Sequence, residues 1–183
     1  CEEDMEGAEQ LYRRVLEIDP LHTNTICNYG LIQHAMNGDN DGAIKMFDRA
    51  LEIDPQHSPS LSFKGLLLHS QYQNHSGAER AFRAALKVTP NDASMLSHYA
   101  YLLHDGRGNA SGATYYYERA LASDPQHTNA LCNYAHLLDE VEKDYERAQV
   151  LFARAIEADP TNVVAMCDLA RLLANRFDEF EEA

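Results

Sequence analysis

No tryptophan occurs in this chain, and glycine and proline are scarce, nine and six among 183 residues. So little of the punctuating residues excludes a collagen-like or Gly/Pro-rich disordered chain and leaves long stretches free to form regular structure. No apolar run approaches the roughly 18 residues that a membrane-spanning helix needs, and nothing resembles a secretory signal peptide. Basic charge is short as well: 15 Lys and Arg stand against 29 Asp and Glu. The net charge of −14 divides into −5 for the first ninety residues and −9 for the rest. With no basic stripe to neutralise a phosphate backbone, nucleic acid is excluded as an expected partner. An acidic surface can recruit a basic partner, but a solvated helical face that keeps the protein soluble is the preferred reading. No nucleophile, base and orienting residue recur together. Gly106-Arg107-Gly108 precedes a helical segment without the strand that a phosphate-binding loop requires. Catalysis is not expected, nor is a cofactor.

What the chain does have is a repeat. Pro20, Pro55, Pro90, Pro125 and Pro160 recur every 35 residues without a slip. Twelve positions before each stands Ala8, Ala43, Ala78, Ala113 or Ala148; eight before it Tyr12, Phe47, Phe82, Tyr117 or Phe152; five before it Val15, Ala50, Ala85, Ala120 or Ala155. Spacings of four and three place these side chains on one helical stripe, a single aromatic knob between small residues that admit another helix closely. This helix, B, stops at Asp-Pro (Thr89-Pro90 in one copy), because proline lacks an amide donor and pushes its predecessor into extended backbone. A second helix, A, then begins, with Thr23, Ser58, Asp92, Thr128 and Asn162 as expected N-caps and Pro59 as an early helical residue. Its buried stripe reads Ile26, Tyr29, Gly30 in one copy, Leu96, Tyr99, Ala100, Leu103 in another and Leu131, Tyr134, Ala135, Leu138 in a third. Glycine or alanine at the same slot again marks close packing. Polar turns then end in Asp4, Asp39, Asn74, Asn109 or Asp144, all good N-cap residues for helix B. Arg14 with Glu17, Arg49 with Glu52 and Arg154 with Glu157 form i,i+3 pairs on helix B, each worth roughly 0.2–0.5 kcal/mol.

Paired antiparallel helices with these offsets resemble tetratricopeptide repeats, and the resemblance covers essentially the whole chain. Its Ala-x3-Phe then Pro signature stands in Ala43, Phe47, Pro55, in Ala78, Phe82, Pro90 and in Ala148, Phe152, Pro160. Two departures occur. The period is one residue longer than the usual 34, placed most easily in the A-to-B turn, and the helix-A tryptophan is replaced by Ile26, Leu61, Leu96, Leu131 and Met166. The half-tetratricopeptide proteins of RNA processing, whose motif leans on tryptophan, are less similar. The resemblance implies an all-α, right-handed superhelical solenoid of antiparallel helix pairs. It divides into a lone helix B (residues 1–20), full repeats over 21–55, 56–90, 91–125 and 126–160, and helix A with the start of a further repeat over 161–183. Beginning at Cys1 and ending at Ala183, the chain reads as a window of a longer array, with Leu169, Leu172 and Leu173 awaiting another helix at the C-terminal edge.

In such arrays the A helices line a concave groove that takes the ligand, so the lining is readable column by column. It runs Asn24, Pro59, Ser94, Asn129, Val164, then Cys27, Ser62, Ser97, Cys132, Cys167, then Asn28, Phe63, His98, Asn133, Asp168. Beyond these come Leu31, Leu66, Tyr101, His136, Arg171, and His34, His69, His104, Asp139, Ala174. This lining is small, neutral and partly apolar. Relatives that grip a chaperone's C-terminal carboxylate use inward Lys and Arg, and here Arg171 is the one cation. Asn28 and Asn133 resemble the asparagine ladder of the array attached to the enzyme that puts N-acetylglucosamine on Ser and Thr, but Phe63, His98 and Asp168 interrupt it.

Cys27, Cys132 and Cys167 share one slot in separate repeats, on the order of 10 Å apart when adjacent, too far for a disulfide; with Cys1 they fit reduced thiols in a cytoplasmic or nuclear setting. The sequons at Asn74 and Asn109 coincide with the helix-B cap column. His22, His57 and His127 recur two residues after the prolines and read as surface histidines, and the His34, His69, His104 column diverges too far for a metal site. Several imidazoles charging near pH 6.5 would make the lining pH-sensitive. The expected function is a non-catalytic scaffold binding a peptide or partner helix, with Leu31, Phe63, Leu66 and Tyr101 as apolar anchors. A substrate-recruiting arm of a larger enzyme such as a glycosyltransferase stays open, as does self-association through exposed array ends.

Overall fold

The computed structural model describes the backbone of residues 2–181 and the side-chain surroundings of 5–36 and 38–175. Among these residues there is no strand. The helices are α1 (Glu2–Ile18), α2 (Thr23–Asn37), α3 (Asn40–Ile53), α4 (Ser58–Ser70), α5 (His75–Val88), α6 (Ala93–Tyr101), α7 (Ala110–Ser123), α8 (Thr128–Leu137), α9 (Tyr145–Ala158) and α10 (Val163–Glu181). Two compact units result, one ending at Pro90 and one beginning at Asn91. In the first, α2 packs on α3 and α4 on α5, with α1 against α2 and α3 bridging to α4. In the second, α6 packs on α7 and α8 on α9, with α7 against α8 and α10 closing on α9. The A helices α2, α4, α6 and α8 are thus each paired with the B helix that follows, while α10 packs on the preceding α9.

Helix B ends where proline chemistry dictates. Asp54, Thr89, Asp124 and Asp159 precede the prolines with φ of −129°, −124°, −135° and −135° and ψ near +77° to +97°, out of the helical region. The Asp54, Asp124 and Asp159 carboxylates then accept from amides two residues on, each closing an Asx turn. At the other end of helix B, the side chains of Asp39, Asn74, Asn109 and Asp144 accept from the amides of Gly42, Gly77, Gly112 and Arg147, the capping the sequence predicts. The equivalent Asp4 stands inside α1 instead, because that helix already begins at Glu2.

The extra residue of the 35-residue period sits where helix A closes. Gly38, Gln73, Gly108 and Lys143 all occupy the left-handed region, with φ of 61°, 51°, 61° and 56°. The next amide in each case reaches back six residues: Asp39 to Gln33, Asn74 to Leu68, Asn109 to Leu103 and Asp144 to Leu138, at 2.7–3.1 Å. That is one residue wider than a Schellman closure, and in two copies the surplus widens the last turn into π-helix, at Leu102–Gly106 and Leu138–Glu142. Left-handed backbone costs an L-residue about 1–2 kcal/mol, a penalty that Gly38 and Gly108 avoid and Gln73 and Lys143 bear. Gln73→Gly and Lys143→Gly are therefore each expected to raise stability by about 1 kcal/mol, read as a higher denaturation midpoint; a fall at either site would contradict this account of the turn.

The core follows the predicted stripes from Ala43 to Ala155 and departs from them at the two ends, where Val15 and Met166 are 37% and 40% exposed. Ala43, Phe47, Ala50, Ala78, Phe82, Ala85, Ala113, Tyr117, Ala120, Ala148, Phe152 and Ala155 are fully buried, and Ile26, Leu96 and Leu131 fill the tryptophan slot at 0% exposure. Close approach explains the glycines of helix A. A Cβ on Gly30 would lie 3.0 Å from Met46 Cβ, and one on Gly65 2.9 Å from the Phe82 ring.

Three expectations change. Leu172 is buried at 2% exposure, so of the three C-terminal leucines only Leu173, at 45%, is largely open. Arg49 and Arg154 turn away from Glu52 and Glu157; they donate to the carbonyl oxygens of Pro20 and Pro125, at 2.6 and 2.9 Å, tying helix B to the preceding proline turn. The third concerns the start of helix A. Here the cap is the residue before the predicted one in three copies: His22, His57 and His127 accept from the amides of Thr25, Ser60 and Ala130, displacing Thr23, Ser58 and Thr128, while Asp92 and Asn162 cap as expected.

Candidate interaction surface

In the first unit the expected lining residues lie on α2 and α4, and packing sorts them. Asn24 and Asn28 are exposed, while Leu31, Phe63 and Leu66 are half-buried. Leu31 and Phe63 rest on a buried cluster of Cys27, Ala43, Phe47 and Leu67, the Phe63 ring stacked 6.1 Å from Phe47. Their inner sides therefore serve the core and only their outer sides face solvent. Leu66 lies outside that cluster. The two expected lining histidines of this unit are engaged with the start of the following B helix: His34 Nδ1 is 2.6 Å from Asn40 Oδ1 of α3, and the buried His69 holds its Nδ1 3.1 Å from that of His75 of α5. Burial pushes the Cys27 thiol up from its ordinary value, as befits a packing residue.

In the second unit the lining is drawn from α6, α8 and α10. Tyr101 is 37% exposed and Asn129 is exposed; His98, His104, Asn133 and His136 are half-buried. Burial, reinforced by the neighbouring His127, drives the His98 imidazole down to about 4. His98 thus stays neutral throughout the range in which the sequence predicts lining histidines to charge.

A neutral lining does not extend to α8 and α10. His136 Nε2 lies 3.0 Å from Asp168 Oδ2, Arg171 reaches Asp168 at 3.5 Å and Asp139 at 3.7 Å, and Asp139 is only 8% exposed. One guanidinium is shared by two carboxylates, so Arg171 neutralises its own neighbours first. A small cavity of about 210 Å³ beside it is walled by Asp139, Lys143, Tyr145 and Asn175. Among the described residues no three His, Cys, Asp or Glu side chains gather where a metal ion could be held.

The histidines after the prolines are structural, and sequence reasoning missed how. With Nδ1 accepting from its own helix, His57 turns Nε2 to Asn24 Oδ1 at 2.8 Å, and His127 turns Nε2 to Ser94 Oγ at 3.0 Å. Asn24 and Ser94, two expected lining residues, are therefore occupied by the next repeat. The signal was present: a histidine two residues after proline, with an amide or hydroxyl residue 33 positions earlier.

Two larger clefts were also missed, both on the helix-B side. In the second unit Glu118, Leu121, Tyr134, Arg147, Val150 and Leu151 line one of about 550 Å³, where Tyr134 donates to Glu118 at 3.2 Å and accepts from Arg147 at 2.6 Å. Burial lifts the Tyr134 phenol to about 12, so it stays a neutral donor. In the first unit the corresponding cleft, about 470 Å³, is lined by Ile44, Leu51, Leu61, Ala81 and the Lys64–Asp48 ion pair. Each forms where two consecutive B helices straddle the intervening A helix.

Profiles described as tetratricopeptide repeat match residues 64–128 and 24–57, between them over half of the chain. No curated protein sequence matches it. Among solved structures, pilF of Pseudomonas aeruginosa superposes with a TM-score of 0.78 at 19% identity, over 96% of this chain and 79% of its own. MamA of Desulfovibrio magneticus RS-1 gives 0.67 at 19% identity, over 87% and 88%. YrrB, described as a TPR protein with an unusual peptide-binding site, gives 0.65 at 19% identity, over 90% and 83%. Likeness at this identity establishes the all-α repeat fold. Among the described residues no helix is long and apolar enough to cross a membrane.

Proposed function

Because this chain belongs to the tetratricopeptide repeat family, whose members serve as protein-interaction scaffolds, we propose that it is a non-catalytic scaffold whose A helices receive an extended peptide or a partner helix. The observation that carries this reading is in the first unit. Leu31, Phe63 and Leu66 leave apolar surface half-open on adjacent A helices, beside the exposed amide of Asn28. An amide can both donate to and accept from a peptide backbone, and the apolar surface takes the side chain between two such contacts. In the second unit Tyr101 and the exposed Asn129 offer the same pairing of ring and amide. Similarity to a peptide-binding repeat protein points the same way.

The test is selection of peptide ligands from a random library, followed by titration against Asn28→Ala with Leu66→Ala and, separately, Tyr101→Ala. Losing a backbone-paired amide and an apolar anchor together is expected to weaken binding about 10- to 100-fold, with helicity and melting unchanged. Unaltered affinity in both variants would mean that the ligand sits elsewhere, with the helix-B clefts the next surface to map.

A further inference from the structure

Asn24 and Ser94 are held by imidazoles whose other nitrogen caps a helix, and that double engagement depends on one proton. At His57, Nδ1 lies 3.3 Å from the Ser60 amide and 2.8 Å from Ser60 Oγ, while Nε2 is 2.8 Å from Asn24 Oδ1. An amide N–H can only donate and a carbonyl oxygen can only accept, so the partners fix the tautomer: Nδ1 is bare and Nε2 carries the hydrogen. At His127, Nδ1 accepts from Ala130 N at 3.2 Å and Nε2 faces Ser94 Oγ at 3.0 Å, the same arrangement in the other unit. Each ring thus joins the first turn of one A helix to the A helix before it, α4 to α2 and α8 to α6.

We propose that His57 and His127 are proton-operated bolts between consecutive A helices, closed when neutral and withdrawn when protonated. A proton on Nδ1 sets a donor against the donating helix amide and places a positive charge at a helix N-terminus, whose dipole already points its positive end there. The surroundings decide how readily that proton arrives. Around His57, Asp54 in its own turn favours the charged ring, while the Cys27 thiol of α2, bonded to Ser60, is neutral; burial outweighs Asp54 and lowers the imidazole from its ordinary value. Around His127 stand Asp124, whose carbonyl accepts from its amide, and on α6 the neutral His98 and the cap Asp92. For His57 the folded-state value lies below the unfolded one, so its contribution to stability is complete above pH about 6.5 and drains away as pH falls through the folded value.

Two features of the chain provide controls. His22 caps α2 in the same way, Nδ1 lying 3.3 Å from the Thr25 amide, but α2 is the first A helix among the described residues, and the bonds His22 makes there run to Thr25 of its own helix. The third repeat replaces the imidazole with Asp92, whose carboxylate accepts from the Met95 amide at 2.9 Å, so that cap is made without a histidine. The proposal does not depend on which ligand the A helices bind.

The test is long-range proton–nitrogen NMR of the whole chain, combined with amide exchange from about pH 7.5 to about pH 5. Both rings are expected to be Nε2–H tautomers at neutral pH, with His57 titrating below 6.5. Protection at the Ser60 and Ala130 amides, corrected for intrinsic rates, is expected to fall as the pH is lowered, and this loss should vanish in His57→Asn with His127→Asn, where asparagine keeps the cap without titrating. An Nδ1–H tautomer at either ring, a His57 midpoint at or above 6.5, or the same loss in the double variant would overturn the proposal. The tautomer reading needs no substitution and stands even where the double variant fails to fold.

Discussion

Phe82→Ala is expected to lower stability by about 3–5 kcal/mol, measured by urea unfolding followed at a helical wavelength. The ring is fully buried on α5 and faces α4, where the opposing residue is Gly65. Three of its carbons lie 2.9–3.1 Å from the place a Cβ would take on that glycine, so the ring fills the space that a side chain on α4 would otherwise occupy. When the ring is removed, Gly65 has no side chain to lean into its place. The hole stays open, and the cost belongs in the upper part of the range, because cavity energy adds to lost transfer energy wherever the surroundings cannot collapse. A loss under about 1 kcal/mol would show that α4 and α5 are held by something other than this knob.

Tyr117→Phe carries the opposite sign, a gain of about 1–3 kcal/mol. Tyr117 occupies the slot that Phe47, Phe82 and Phe152 fill in other repeats, equally buried at 0% exposure, so the slot already accepts the product of the substitution. Its hydroxyl has no hydrogen-bond partner among the described residues, and burial drives the phenol far above its ordinary value, with Tyr101 and Asp105 nearby adding to the rise. A buried donor left unpaired costs its full desolvation, and phenylalanine removes that cost while keeping the ring stacked 5.6 Å from Tyr134. The midpoint of thermal unfolding should rise by about 2–4 °C per kcal/mol in a chain of this size. Tyr134→Phe is the control: that hydroxyl bonds both Glu118 and Arg147, so its removal should bring no gain. Stabilisation in both, or in neither, would refute the argument.

How much of this was legible follows from the range over which each signal acts. Helix ends written in backbone chemistry were readable: the pre-proline residues become extended, and Asp39, Asn74, Asn109 and Asp144 cap as their side chains require. The aromatic knobs and the small residues facing them were readable too, since one period fixes which positions share a stripe. Helix A was misread at its start because an imidazole was not counted among caps, although Nδ1 at His57 accepts from the helix as an Asx oxygen does. The surplus residue was assigned to the right turn, but its form, a closure one residue wider with a left-handed residue in it, depends on carbonyls that sequence does not display.

The lining was harder, for a geometric reason. Columns were drawn at the repeat period, whereas hydrogen bonds between neighbouring A helices join residues 33 apart, Asn24 to His57 and Ser94 to His127. These partners therefore stand two positions off the columns that hold Asn24 and Ser94. That offset made Asn24 and Ser94 look free when the following repeat already engages them, and a separation of 32 joins Arg171 to Asp139 while Asp168 meets it from its own helix. The helix-B clefts were invisible for a simpler reason: each is bounded by three helices and no single stripe reports it.

The most direct measurement of the central claim is amide and methyl chemical-shift mapping of the whole chain as a selected peptide ligand is added. The account predicts that shifts concentrate on the A helices, at Asn28, Leu31, Phe63 and Leu66 in the first unit and at Tyr101 and Asn129 in the second. Shifts confined to the helix-B clefts around Leu51 and Ala81 or around Leu121, Val150 and Arg147, with the A helices silent, would contradict it.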